Sequence, residues 1–173
     1  MPASKSLYQK VGIASLIMMA SVFLSRVIGL FREMVIAYAG GAQASVDAYQ
    51  IAFVLPEVLN HIVASGFLSV VFIPIFARYL AEDRETDGWK VFSIILTGFG
   101  SLLLLLIILG EWFAPELVSI VAPGIKDPAV TADAIHMTRI ILPAQFFFFT
   151  GGMLSSVQFA KEKFAIPALA PLI

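Results

Sequence analysis

The sequence predicts an all-α fold, a polytopic transmembrane helical bundle, and three observations carry that prediction. Of 173 residues, 60% are hydrophobic and only 13% are charged, against about 25% charged in an ordinary soluble domain. Mean hydropathy is +0.94. From Val91 to Leu109, "VFSIILTGFGSLLLLLIIL", no residue is charged, which matches the roughly 20 apolar residues that a helix needs to cross the hydrocarbon core.

The elements follow in order. A first span is expected over about 11–39. Lys5 and Lys10 precede it, but the apolar run is too long for the core of a signal peptide, so it reads as an uncleaved span. Gly40 and Gly41 then offer a helix stop. A second span is expected over about 46–79, kinked where Pro56 and Pro74 interrupt it. "AEDRETDGWK" is the one strongly polar segment and reads as a loop. The third span, about 91–109, is flanked by Trp89 and Trp112, the placement of interfacial anchors. "EWFAPELVSIVAPGIKDP" is a mixed loop with room for a short interfacial helix, and Asp127-Pro128 is an N-cap followed by proline at the first helical position. A fourth span covers about 129–160, with Pro143 and Gly151-Gly152 inside it. Gly98, Gly100, Gly151 and Gly152 suggest close contacts between helices, and Phe146 to Phe149 a lipid-facing or packing surface.

After "KEK" (Lys161 to Lys163) a fifth span begins at about 165. A span broken off after a few residues would leave unpaired backbone in lipid, so the chain is expected to be the N-terminal part of a longer protein.

Orientation comes from the basic residues. With the N-terminus inside, Lys5, Lys10, Arg78, Arg84, Lys90, Lys161 and Lys163 lie on the inner side, against Lys126 alone outside. That asymmetry places the N-terminus in the cytoplasm.

Several function classes drop out. A net charge of −1 does not suit a nucleic-acid partner. With no cysteine there is no thiolate metal site and no cysteine nucleophile. "HIVAS" is not a zinc motif, and the second histidine, His136, is distant in sequence. No phosphate loop, nucleophile elbow or dinucleotide fingerprint is present, so neither a cofactor nor an enzyme activity is expected.

The candidate site rests on charges where lipid penalises them. Arg26 and Arg32 stand in the first span, with Glu33 beside the second and Gly29 opening space between them. An arginine at mid-bilayer costs about 2.5–3.5 kcal/mol on insertion scales. Six residues of helix separate the two arginines by about 120°, so they line two walls of one cavity or one of them pairs internally. On the second span Gln50, Glu57, His61 and Ser65 form a helical stripe, with Asn60 beside it and Asp47 at its head. Each has a plainer reading: Asp47 as a helix cap, Glu57 and His61 as polar contacts between helices. Together they describe a hydrated cavity of mixed charge, whose guanidiniums suit a phosphate or carboxylate.

At these residues the chain resembles the MurJ (MviN) family of lipid II flippases, within the multidrug/oligosaccharidyl-lipid/polysaccharide exporter superfamily. The matching pieces are "SRVIGLFRE", "DAYQIAFVLPEVL", "FIPIFARY", "APGI" and "KFAIPALAP", in the family's order and spacing. The resemblance implies a transporter of about fourteen spans in two lobes around a cationic cavity. Such a transporter moves undecaprenyl-pyrophosphate-linked peptidoglycan precursor across the cytoplasmic membrane by alternating access. This chain would supply the opening spans of the first lobe, with Arg26, Arg32 and Asp47 at family cavity and gate positions and the C-terminal remainder still to come. The expected partners are a lipid-linked anionic glycan and membrane lipids. The chain departs from the family where "LPNLLRRLFAEGAFS" is usual and "LPEVLNHIVASGFLS" stands here. Asn60-His61 replaces an arginine pair, Ser65 an acid and Glu57 an asparagine.

Three alternatives stay open beside the lipid II flippase. They are a flippase for another lipid-linked oligosaccharide, an ion-coupled exporter of small solutes, and a non-transporting scaffold of cell-envelope assembly in which the charges merely pair helices. The flippase reading expects Arg26→Ala to abolish transport in a folded, inserted protein.

Overall fold

The computed structural model describes residues 3–41, 44–64, 71–125, 127–163 and 167. Among them are seven α-helices: α1 Ala3–Gly40, α2 Ala44–Ala64, α3 Ile73–Ala81, α4 Glu85–Trp112, α5 Ala114–Val121, α6 Pro128–Ile141 and α7 Ala144–Ala160. The described residues contain no strand, so the all-α expectation holds. Three stretches are long and apolar enough to cross a membrane: Ser15–Gly40, Glu85–Trp112, and Pro128–Ala160 taken as one.

The boundaries differ from the expected ones for physical reasons. In the segment expected as a single second span the described residues form α2 and α3, and 65–70 between them lie outside the described residues. Pro74 lies in the first turn of α3, a position that tolerates proline. Pro56 remains inside α2. Ser65 and nearly all of the expected fifth span lie outside the described residues. α2 is not among the three membrane-length apolar stretches, because the stripe from Asp47 to His61 lowers its hydropathy. α4 starts six residues earlier than the apolar run, at Glu85; Glu85 and Asp87 in its first turn complement the positive end of the helix dipole. The expected fourth span breaks between α6 and α7 at Leu142 and Pro143, the point where proline cannot donate to the helix ladder.

Local signals behave as their chemistry requires. Gly41 adopts φ +56° and its N–H bonds Ala37 O at 2.9 Å, a left-handed stop for α1. The Asp127 carboxylate accepts from the Ala129 N–H at 2.9 Å and caps α6. The mixed loop does hold a short helix, α5. Asp83 and Glu162, at φ 55° and 56°, terminate α3 and α7. Arg84 N bonds Tyr79 O at 2.9 Å, and Lys163 N bonds Gln158 O at 2.8 Å, as in a Schellman closure.

Two clusters hold the bundle. Phe72, Phe76, Phe92, Leu103, Ile107, Leu142, Phe149 and Met153 pack α3, α4 and α7 together. Ala48, Val118, Val130 and Ala134 join α2, α5 and α6. The α2–α6 interface is the most extensive in the bundle, and small residues explain it. Ala48, Ala52 and Pro56 recur every fourth position and are buried, as do Val130, Ala134 and Thr138. Such faces let helix backbones approach closely where lipid supplies no hydrophobic drive. Gly100 is a contact point of the expected kind, since an added Cβ would meet Phe146 at 3.5 Å, whereas Gly98 and Gly151 face open space. The phenylalanine run divides: Phe147 and Phe148 are exposed and Phe149 is core. α1 stands apart. It touches α2 alone to any extent, and Ser21 is the one buried residue among its described side chains.

Candidate functional site

The break at Pro143, the stripe of α2 and the C-terminal half of α1 meet around one open cavity of about 570 Å³. α1 contributes Arg32 and Glu33. α2 contributes Tyr49, Gln50, Phe53, Pro56, Glu57 and Asn60. Ile141 closes the end of α6, and Gln145 and Phe148 come from the first turns of α7. The helical spacing of the α2 residues puts them on one side, while its small-residue face is buried in the bundle. The interruption at Leu142–Pro143 brings Gln145 to the wall; its backbone N–H turns back to Leu142 O at 3.1 Å. Irregular backbone at membrane depth is tolerated where it is buried in protein or lines a hydrated space.

The cavity gathers part of the set expected from sequence. Arg32, Glu57 and Asn60 line it, and Pro56 shapes its floor. Arg32 Nη2 donates to Glu33 Oε1 at 2.9 Å. Both side chains are more than half exposed, at 64% and 52%, so the pair is worth no more than about 1 kcal/mol and leaves the guanidinium available. His61 lies on the exposed side of α2, its Nδ1 within 3.0 Å of Glu57 O, and is not in the cavity lining. Asp47 sits exposed in the first turn of α2, in keeping with the plainer helix-end reading. Gly29 has open space where a side chain would be. Ser65 is outside the described residues.

Arg26 is placed differently from Arg32. It borders a separate depression whose other walls are Met18, Met19, Val22 and Phe23, all on α1. The two arginines therefore do not line one cavity among the described residues, and Arg32 is the one that pairs with an acid. The charged lining of the main cavity is Arg32 against Glu33 and Glu57, one positive and two negative groups.

Tyr49, Phe53, Ile141, Gln145 and Phe148 were not expected in the site. A signal existed for Gln145: a lone amide two positions after a helix-breaking proline, inside an otherwise apolar run. The adjacent phenylalanines point instead to a lipid-facing or packing surface.

A family model described as "Lipid II flippase MurJ" matches residues 36–173. Among curated relatives, the "Probable lipid II flippase MurJ" of Buchnera aphidicola subsp. Acyrthosiphon pisum is 32% identical over 150 residues, covering 86% of this chain and 29% of the relative. The "Lipid II flippase MurJ" of Burkholderia cenocepacia is 33% identical over 151 residues, covering 87% and 29%. That of Thermosipho africanus is 28% identical over 160 residues, covering 92% and 33%. The chain thus spans about three-tenths of the length of these curated relatives. No solved structure matches.

Proposed function

The chain belongs to the MurJ family of lipid II flippases, and from that premise we propose that it forms the opening helices of a transporter. That transporter translocates undecaprenyl-pyrophosphate-linked peptidoglycan precursor across the cytoplasmic membrane. The observation that carries the reading is the polar cavity with Arg32, Glu57 and Asn60 inside an otherwise apolar bundle. Polar side chains at membrane depth face protein or water rather than acyl chains. A flippase needs such a place, because the headgroup of its substrate must cross without entering hydrocarbon while the prenyl tail stays in lipid.

The chain's part in transport is positional. Arg32 meets an anionic group through paired donors, and Asn60 and Glu57 offer hydrogen bonds beside it. In alternating access the site stays near mid-membrane and the lobes rock around it; this chain belongs to the first lobe, its N-terminus in the cytoplasm. No bond in the substrate is made or broken, so the activity is transport rather than catalysis.

A second reading, a flippase for another lipid-linked glycan, draws support from the cavity wall. Asn60 stands on it where the family usually has an arginine, and Glu57 adds an acid. The test is capture of a photo-crosslinkable lipid II by the full-length protein in membranes, with unlabelled lipid-linked glycans as competitors. Capture competed by lipid II supports the first reading, competition by a different glycan alone supports the second, and no capture of any lipid-linked glycan defeats both.

A further inference from the structure

Gln145 is over nine-tenths buried, at 7% exposure, and lines the cavity. Its Oε1 accepts no hydrogen bond from any described protein group. A buried acceptor left unpaired costs about 1–3 kcal/mol, and the residue stands in a membrane-length apolar stretch, Pro128–Ala160, where leucine would carry no such cost. Around it the wall is rich in acceptors and rings: the carboxylates of Glu33 and Glu57, the amides of Gln50 and Asn60, and Tyr49, Phe53 and Phe148. Arg32 is the single guanidinium of this lining, so away from Arg32 the wall offers hydrogen-bond acceptors rather than cations.

Resting on the flippase reading, we infer that the part of this wall away from Arg32 takes the uncharged, hydroxyl- and N–H-bearing sugar portion of the lipid-linked headgroup, and that Gln145 accepts one of its hydrogen bonds. The terminal torsion of glutamine is broad and roughly two-fold, so turning the amide over brings Oε1 toward the cavity. Glu57 accepts further donors, and the aromatic rings supply flat apolar surface for sugar faces. The pyrophosphate is then met by Arg32 and by groups outside this wall. Gln145 is a specificity-determining contact, and its orphaned oxygen is the stability that the unliganded protein gives up for it.

The test compares two probes on the full-length protein in detergent: lipid II, and undecaprenyl pyrophosphate bearing no sugar. Gln145→Leu and Gln145→Met, which keep bulk and remove the acceptor, are expected to weaken lipid II binding about tenfold. Both should leave undecaprenyl pyrophosphate binding unchanged, and unliganded thermal stability equal or higher. Gln145→Glu, which keeps an acceptor, should hold lipid II within about threefold of the parent. A tenfold change is about 1.4 kcal/mol, within the range for one buried hydrogen bond. Equal loss of both probes, or no loss of lipid II binding in either variant, overturns the inference while leaving the flippase reading intact. A parent protein that binds neither probe overturns both.

Discussion

α1 and α2 invert the usual relation between greasiness and burial. α1 offers Leu16, Phe23, Leu30 and Phe31 to the surroundings, each more than half exposed. α2 carries Asp47, Gln50, Glu57, Asn60 and His61, yet it is α2 that packs along α6 and against α5 and α7. In water the apolar helix would be the buried one. In lipid, apolar side chains lose little by facing outward, and polar groups and small residues mark where protein meets protein or water. The same contrast separates Arg26, among apolar neighbours on α1, from Arg32 on the wall it shares with α2.

The largest test of the contrast is in packing. Phe149, 2% exposed in the bundle, should cost about 3 kcal/mol when changed to alanine, read as lost thermal or steric-trap stability. Phe23→Ala on α1 should stay within about 0.5 kcal/mol; an equal loss would mean that α1 is buried against partners of its own. Next comes Ala52→Leu, which forces bulk into a fully buried position on the small-residue face. It should destabilise by about 1–3 kcal/mol, measured in the same way. A neutral outcome would deny close α2–α6 packing.

The two arginines sharpen the comparison at the level of function. Arg32→Ala should lower transport of lipid II in proteoliposomes by about 10- to 100-fold, the size of a lost charge-assisted contact, with insertion intact. Arg26→Ala should cost less, since the depression it borders is otherwise lined, among the described residues, by apolar side chains of α1. Equal losses would bring both guanidiniums to one ligand and restore the weight that sequence placed on Arg26.

The smallest effects lie in the turn between α3 and α4. Asp83 holds φ 55° without being glycine, so Asp83→Gly should stabilise by up to about 1 kcal/mol, seen as a small rise in melting temperature. The Glu82 carboxyl sits below its ordinary pKa, chiefly because Arg78 donates to it and with help from the nearby Arg84 charge. Its contribution to stability is present above the usual carboxylate range and is lost as pH falls through the lowered value. Arg78→Ala should return the Glu82 titration toward normal, which carboxyl NMR would follow.

Sequence made the helical class legible because composition and the uncharged run at Val91–Leu109 admit no other. It also revealed the α2 stripe, since helical spacing alone puts Gln50 and Glu57 on one side. It did not show where a proline interrupts the helix: Pro143 separates α6 from α7 within one membrane-length stretch, whereas Pro56 stays inside α2. Arg26 and Arg32 were grouped because spacing gives direction around an axis but not what stands opposite. Gln145 stays hidden because the residues that share its cavity, on α1 and α2, are distant in sequence.

The central claim is that α2 presents a hydrated wall that the headgroup occupies. The chain has no cysteine, so Asn60→Cys in the full-length protein gives a single reporter on that wall wherever the remaining sequence is also cysteine-free or made so. The expected result is reaction with a hydrophilic maleimide and protection by lipid II, with a cysteine at the exposed Phe23 of α1 remaining unreactive in lipid. An Asn60→Cys thiol that stays unlabelled in the folded protein from either side of the membrane, or labels equally with and without lipid II, contradicts the claim.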